Sequence, residues 1–197
     1  MAVPFVGLTG GLGAGKSTAL AQLESLGAAV LSTDEVVHGL YGEAAVARAV
    51  RERFGANVFA GDAVDRGALA ARVFASDEDR SWLEQLIWPL VARATEDFYE
   101  QASRRTPPPR VAVVEAPLLF EAGSQDRYDA TIAVVADDAL RRARTGGRDH
   151  KALERREERQ LPQQEKARRA THVVVNDGSV GDLREQLVAV LDRLGDR

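Results

Sequence analysis

The chain of 197 residues contains no cysteine, which removes disulfide cross-links, a thiolate nucleophile and every cysteine-based zinc site. A protein without disulfides suits a reducing compartment, and the cytoplasm is the expected location. Long hydrophobic runs are missing as well. The longest apolar stretches, such as Ile132 to Ala136 and Leu187 to Leu191, fall far short of the ~18 residues that a membrane span requires, so no membrane partner is expected. No basic residue precedes Lys16 and no cleavage pattern follows, so a secretory leader is not expected and the mature chain should begin at residue 1 or 2. Histidine is sparse: His38, His150 and His172 are too scattered to suggest a metal site. Lysine is scarce too, with 23 of the 26 basic residues being arginine, which makes the lysine at position 16 conspicuous. At 45% hydrophobic and 28% charged residues the composition is that of an ordinary globular protein, and disorder, collagen and coiled coil are excluded.

Charge is unevenly placed. The 29 residues from Arg141 to Arg169 carry a net +6, and the rest of the chain carries −10. A basic segment on an acidic protein is a poor footprint for a nucleic-acid backbone, which the remaining surface would repel, and no nucleic-acid partner is expected. A small polyphosphate fits that segment better.

The apolar pattern alternates strands with helices. Val3 to Leu8 reads as a buried strand running into a glycine cluster and then a helix from Lys16 to Leu26. Further strands are expected at Ala28 to Ser32, Val111 to Val114, Asp129 to Ala136 and His172 to Val175, with a closing helix from Val180 to Leu194. Helical spacing covers Glu43 to Phe54, Asp65 to Phe74 and Ser76 to Arg104, with Ser76 and Asp79 as a cap pair and Pro89 interrupting the last segment. Such an order implies an α/β fold: a parallel five-stranded sheet with helices on both faces and ligands beyond the carboxyl ends of its strands.

Gly10-Gly11-Leu12-Gly13-Ala14-Gly15-Lys16-Ser17 satisfies GxxxxGK[ST], the phosphate-binding P-loop, and it lies between a strand and a helix as that motif requires. Glycines let backbone N–H groups line an anion nest, the following helix adds its positive end, Lys16 reaches the β- and γ-phosphates, and the Ser17 hydroxyl ligates Mg²⁺. Asp34, at the end of the second strand, is either a carboxylate that orients an acceptor hydroxyl or a plain helix cap. Glu115, closing the third strand, is either the acid that holds Mg²⁺ or a solvent-facing strand end. The arginine-rich segment reads as a lid that neutralises a transferring phosphate, with Gly146 and Gly147 as a hinge, or as a solvated helical face. A GTPase switch is disfavoured, since neither Asn57 nor Asn176 begins an NKxD motif and the only DxxG, Asp192 to Gly195, sits in the C-terminal tail. A small-molecule kinase remains.

The sequence resembles the dephospho-CoA kinase family. The resemblance is carried by Gly7 to Ser17, by Ser32 to Val36 around Asp34, and by Pro117-Leu118-Leu119-Phe120-Glu121. Gln160-Leu161-Pro162 with Glu165-Lys166 and Asn176 with Gly178 continue it in order along nearly the whole chain. It implies ATP-dependent phosphorylation of the ribose 3′-hydroxyl of dephospho-CoA, with a nucleoside or nucleotide kinase on the same scaffold as the alternative. It further implies a P-loop NTPase-type core over residues 1–61, 107–137 and 169–197, a helical CoA domain over 62–106, and a lid over 138–168.

Carried over residue by residue, Gly11, Leu12, Gly13, Ala14, Gly15, Lys16, Ser17 and Thr18 serve ATP. Ser17 and Glu115 serve Mg²⁺, Asp34 serves the acceptor hydroxyl, and Asn176 and Gly178 lie near the adenine. Leu118 and Phe120 either line the CoA pocket or belong to the core. The chain departs from the family in places: Trp88-Pro89 replaces a common His-Pro, and the segment Thr145 to Gly147 makes it ambiguous whether Arg142, Arg144 or Arg148 is the catalytic lid arginine, with Arg148 and Arg142 favoured. Glu115 stands where an aspartate is common. The same reading expects a monomer and leaves an oligomer open.

Overall fold

The computed structural model describes residues 2–146 and 160–195. In chain order its elements are β1 (Phe5–Gly10), α1 (Lys16–Ser25), β2 (Ala29–Ser32), α2 (Thr33–Leu40), α3 (Ala44–Phe54), β3 (Phe59–Ala60), β4 (Ala63–Val64), α4 (Arg66–Phe74), α5 (Asp77–Ser103) and β5 (Ala112–Glu115). Then come β6 (Ala130–Val135), α6 (Asp138–Thr145), α7 (Gln163–Arg169), β7 (His172–Val175) and α8 (Val180–Gly195). Two compact units divide the chain: Met1–Ser32 with Phe98–Arg197, and Thr33–Asp97.

The first unit holds a five-stranded sheet in the order β2-β5-β1-β6-β7, every neighbouring pair parallel. Its central strands are continuous apolar runs because helices cover both faces. On one face Ala19 and Leu23 of α1 and Leu183, Leu187 and Leu191 of α8 pack on Val6, Leu8 and Ile132. On the other, Phe98, Tyr99 and Ala102 from the last turns of α5 pack on Phe5, Ala112 and Val114. Burial beside these rings pushes the Tyr128 hydroxyl up to about 12.

Ser179 starts α8 through a reciprocal cap. Its Oγ accepts from the Asp182 amide, while its own amide and hydroxyl donate to Asp182 Oδ2 at 2.7 and 2.9 Å. Those two bonds hold the Asp182 carboxyl below the ordinary range. One helical turn later Gln186 brackets the outermost strand: Oε1 accepts from Val175 N at 2.9 Å and Nε2 donates to Val175 O at 2.8 Å.

The second unit is mostly helical, built around Leu40, Val46, Val50, Leu69, Val73 and Ile87. Asp65 caps α4 by accepting from Gly67 N and Ala68 N, and Ser76 Oγ caps α5 by accepting from Asp79 N. Asp79, 7% exposed, receives Arg53 on one oxygen and Arg72 on the other, locking α3, α4 and α5 together.

Several limits differ from those the sequence implies. β1 extends through Gly10 because the parallel ladder with β6 continues to the Gly10–Val134 pair. Pro89 lies inside α5 instead of interrupting it: Leu86, Ile87, Leu90 and Val91 on both sides pack into one cluster, which holds the helix through the missing hydrogen bond. The compact helical unit runs from Thr33 to Asp97, because α2 and α3 share its apolar cluster while the end of α5 belongs to the sheet. The two-residue strands β3 and β4, joined across Gly61 and Asp62, are too short for any period to announce them. Of the expected lid, α6 and α7 belong to the first unit, and residues 147–159, Arg148 included, lie outside the described residues.

Candidate active site

β1 delivers the chain into a loop, residues 11–15, and then into α1. Gly13 (φ 73) and Gly15 (φ 94) adopt left-handed conformations that disfavour any side chain. Crowding reinforces the requirement, since a Cβ on Gly13 would lie 2.6 Å from the Arg141 carbonyl oxygen and one on Gly15 would lie 2.1 Å from Asn176 Nδ2. The α1 N-terminus has no side-chain cap and no acidic residue in its first turn, so the amides of Lys16, Ser17 and Thr18 and the positive helix end face the loop. Lys16 Nζ donates to the carbonyls of Gly10 and Gly11 at 3.1 and 3.2 Å, which sets its ammonium across the loop mouth.

Distant segments brace this loop. Asn176, at the end of β7 and 7% exposed, donates from its backbone to Val135 O and from Nδ2 to Ala14 O at 2.9 Å. Arg141 Nε donates to Leu12 O at 2.8 Å while Nη1 pairs with Asp138. Arg144 Nη2 donates to Asn176 O at 2.9 Å. Positions 141 and 144 share a helix face and both reach the loop region, whereas Arg142, about 100° round the helix from Arg141, lies off that face. Sequence reasoning therefore misses Arg141 as a contributor to the site and considers Arg144 only as a candidate for the catalytic arginine, not as a brace for Asn176; their spacing of three is the available signal, lost in a run of arginines. Gly178 makes room for the α8 cap, since a Cβ there would meet Asp182 Oδ2 at 2.4 Å. A cleft of about 190 Å³ opens beside the loop, lined by Gly11, Leu12, Asp138, Arg141 and the segment 160–164.

Glu115 ends β5 in register with Leu8 of β1 and Ser32 of β2. It is buried, and its Oε2 accepts from Ser32 Oγ at 2.9 Å. A carboxylate at this strand end and the Ser17 hydroxyl are both hard oxygen donors, which fits a Mg²⁺ ion that takes few protein ligands and shares the rest with phosphate and water.

Beyond Pro117, Phe120 is 6% exposed and packs with Leu119, Leu161 and Ala170, so it belongs to the core, while Leu118 is partly buried. Lys166 of α7 is fully buried; its Nζ donates to Pro117 O at 2.5 Å and pairs with Glu121 Oε1 at 3.0 Å. Burial pulls this ammonium below the ordinary lysine range, against the opposing pull of Glu121.

Asp34 is exposed in the first turn of α2, two residues past Ser32. One turn further, His38 Nδ1 accepts from Nη1 of Arg66, the first residue of α4, at 2.6 Å. Trp88, in place of the expected His, is 43% exposed and presents a flat apolar surface.

Comparison with known proteins identifies the family and the fold. The pattern of the family described as Dephospho-CoA kinase matches residues 4–182. A dephospho-CoA kinase of Chlorobaculum tepidum is 36% identical, the alignment covering 96% of this chain and 94% of that one. A crystal structure from Thermus thermophilus superposes with a TM-score of 0.83 at 35% identity, covering 98% and 99% of the two chains. Shikimate kinase of Acinetobacter baumannii, 15% identical over 99% of this chain and 96% of its own, shares the fold with a TM-score of 0.55. A braced phosphate loop, an acid at the neighbouring strand end and a match over most of the sequence converge, and the chain belongs to the dephospho-CoA kinase family.

Proposed function

We propose that this protein transfers the γ-phosphoryl group of ATP to the ribose 3′-hydroxyl of dephospho-CoA, giving coenzyme A and ADP. The observation that carries the reading is the phosphate loop with Lys16 across its mouth, in a chain of this family. The loop amides and the α1 N-terminus bind the phosphate chain, and Lys16 swings from the Gly10 and Gly11 carbonyls to the β- and γ-phosphates. Asp34 orients the acceptor hydroxyl and takes its proton as the new P–O bond forms and the bond to the ADP oxygen breaks. A lid arginine, Arg148 or Arg142, neutralises the moving phosphoryl group. Ser17 and Glu115 would hold Mg²⁺, which when bound with ATP supplies positive charge to the phosphates. Asn176 and Gly178 border the adenine side, and the helical unit receives the CoA portion. The enzyme works in the cytoplasm. Most of the catalysis is positioning and charge compensation.

The test is ADP release with Mg-ATP across a panel of dephospho-CoA, nucleosides and nucleoside monophosphates, with product masses read for one added phosphate. Phosphate gained by dephospho-CoA alone is expected. Turnover on a nucleoside or its monophosphate in its place would reassign the acceptor.

A further inference from the structure

Resting on the kinase reading above, we infer that α7 is a crossbar joining the strands on either side of β1, and that Lys166 is the positioning residue fixing the β5 end to it. The sheet order places β5 and β6 on opposite sides of β1, roughly 10 Å apart at normal strand spacing. One side chain from α7 reaches each. Gln163 clasps the residue after β6: its Oε1 accepts from Ala136 N at 3.1 Å, and its Nε2 donates to Ala136 O at 2.8 Å and to Asp138 at the head of α6. Lys166, one turn on, donates to Pro117 O, two residues beyond Glu115.

The Pro117 carbonyl is also approached at 3.5 Å by Thr9 Oγ1, from the residue before the glycine that ends β1. Glu121, which pairs with Lys166, accepts in addition from Leu161 N at 2.7 Å and so ties the lead-in of α7 to the same loop. The crossbar therefore sets two positions at once: the acid-bearing end of β5, and the start of α6, whose Arg141 holds Leu12 in the phosphate loop.

A lysine with no exposed surface is a costly way to fill space. Buried ion pairs are commonly replaced by neutral side chains with little loss of stability, so a purely structural role would be served as well without charge. Lys166 supplies what an apolar residue cannot, a directed bond to one carbonyl.

The experiment compares two double variants of the full chain. Lys166→Met with Glu121→Gln removes the tie to Pro117 while leaving an acceptor for Leu161. Lys166→Gln with Glu121→Gln is equally neutral but retains an amide donor. In the Met variant we expect melting within about 5 °C of wild type and unchanged ADP affinity. Turnover per ADP-binding site should fall about tenfold or more, as misplacement of reacting groups does. Amide exchange over residues 116–122 should speed up by about tenfold with no change in α1. The Gln variant is expected to recover most of the turnover and the protection. Equal turnover in the two variants, or a Met variant within about twofold of wild type, overturns the role of Lys166. Should wild type fail to phosphorylate dephospho-CoA, the acceptor reading falls, while the exchange comparison still decides the crossbar.

Discussion

Replacing Gly15 by alanine tests how the phosphate loop is held. At φ 94 and ψ 29 an alanine adopts a left-handed conformation that costs about 1–2 kcal/mol. Its Cβ would stand 2.1 Å from Asn176 Nδ2, so the amide must swing away and surrender its bond to Ala14 O. An unmet buried acceptor adds about 1–3 kcal/mol, for a total loss of about 2–5 kcal/mol, a large share of the usual stability of a domain. Gly39→Ala is the control: it lies in α2, a Cβ there would meet nothing within 4 Å, and the change should gain about 0.5–1 kcal/mol. Both tryptophans, Trp82 and Trp88, sit in the Thr33–Asp97 unit, so fluorescence reports on that unit and far-ultraviolet circular dichroism is needed for the sheet. Urea unfolding followed by both probes, with ADP titration of each variant, makes the comparison. A Gly15→Ala protein within about 1 kcal/mol of wild type and with undiminished ADP affinity would refute the bracing by Asn176.

Other outcomes follow from individual side chains. Asp34→Asn should lower kcat by about 10²–10⁴-fold while ATP binding persists, and a wild-type kcat would remove Asp34 from proton transfer. Asp79→Asn should cost the helical unit about 1–3 kcal/mol, because two arginines lose their shared anion; unchanged tryptophan-detected unfolding would count against that. Asp182 is held below its ordinary range when folded, so its contribution is complete above the unfolded value near ~3.9 and fades as pH falls through the folded one. Asp182→Asn should therefore flatten the acid side of the melting-temperature profile, and parallel profiles would exclude the effect.

How much of this is legible in the sequence depends on how local each cause is. The phosphate loop is written in eight consecutive residues, because backbone turns, an anion nest and a helix start all need particular residues at particular offsets. The parallel sheet can be read from apolar runs alternating with helical spacing. The partners of that loop cannot: Asn176 reaches Ala14 across 162 residues, and nothing in either neighbourhood marks the pairing. Arg141 and Arg144 are hidden among other arginines, since charge counts carry no direction until a helix fixes which side faces inward. Pro89 misleads because a local rule about helices yields to the apolar contacts on either side of it.

The glutamine that brackets Val175 has a consequence for how the protein behaves at high concentration. β7 is an outer strand with Val173 and Val175 about 45% and 44% exposed, the sort of sheet margin on which another chain can template a further strand. By occupying both the N–H and the C=O of Val175, the Gln186 amide ends that margin with a counterfeit neighbour from its own helix. An incoming strand would have to displace two formed bonds to pair along the Val175 end of this margin, so one side chain shortens the stretch of β7 that is open to another chain.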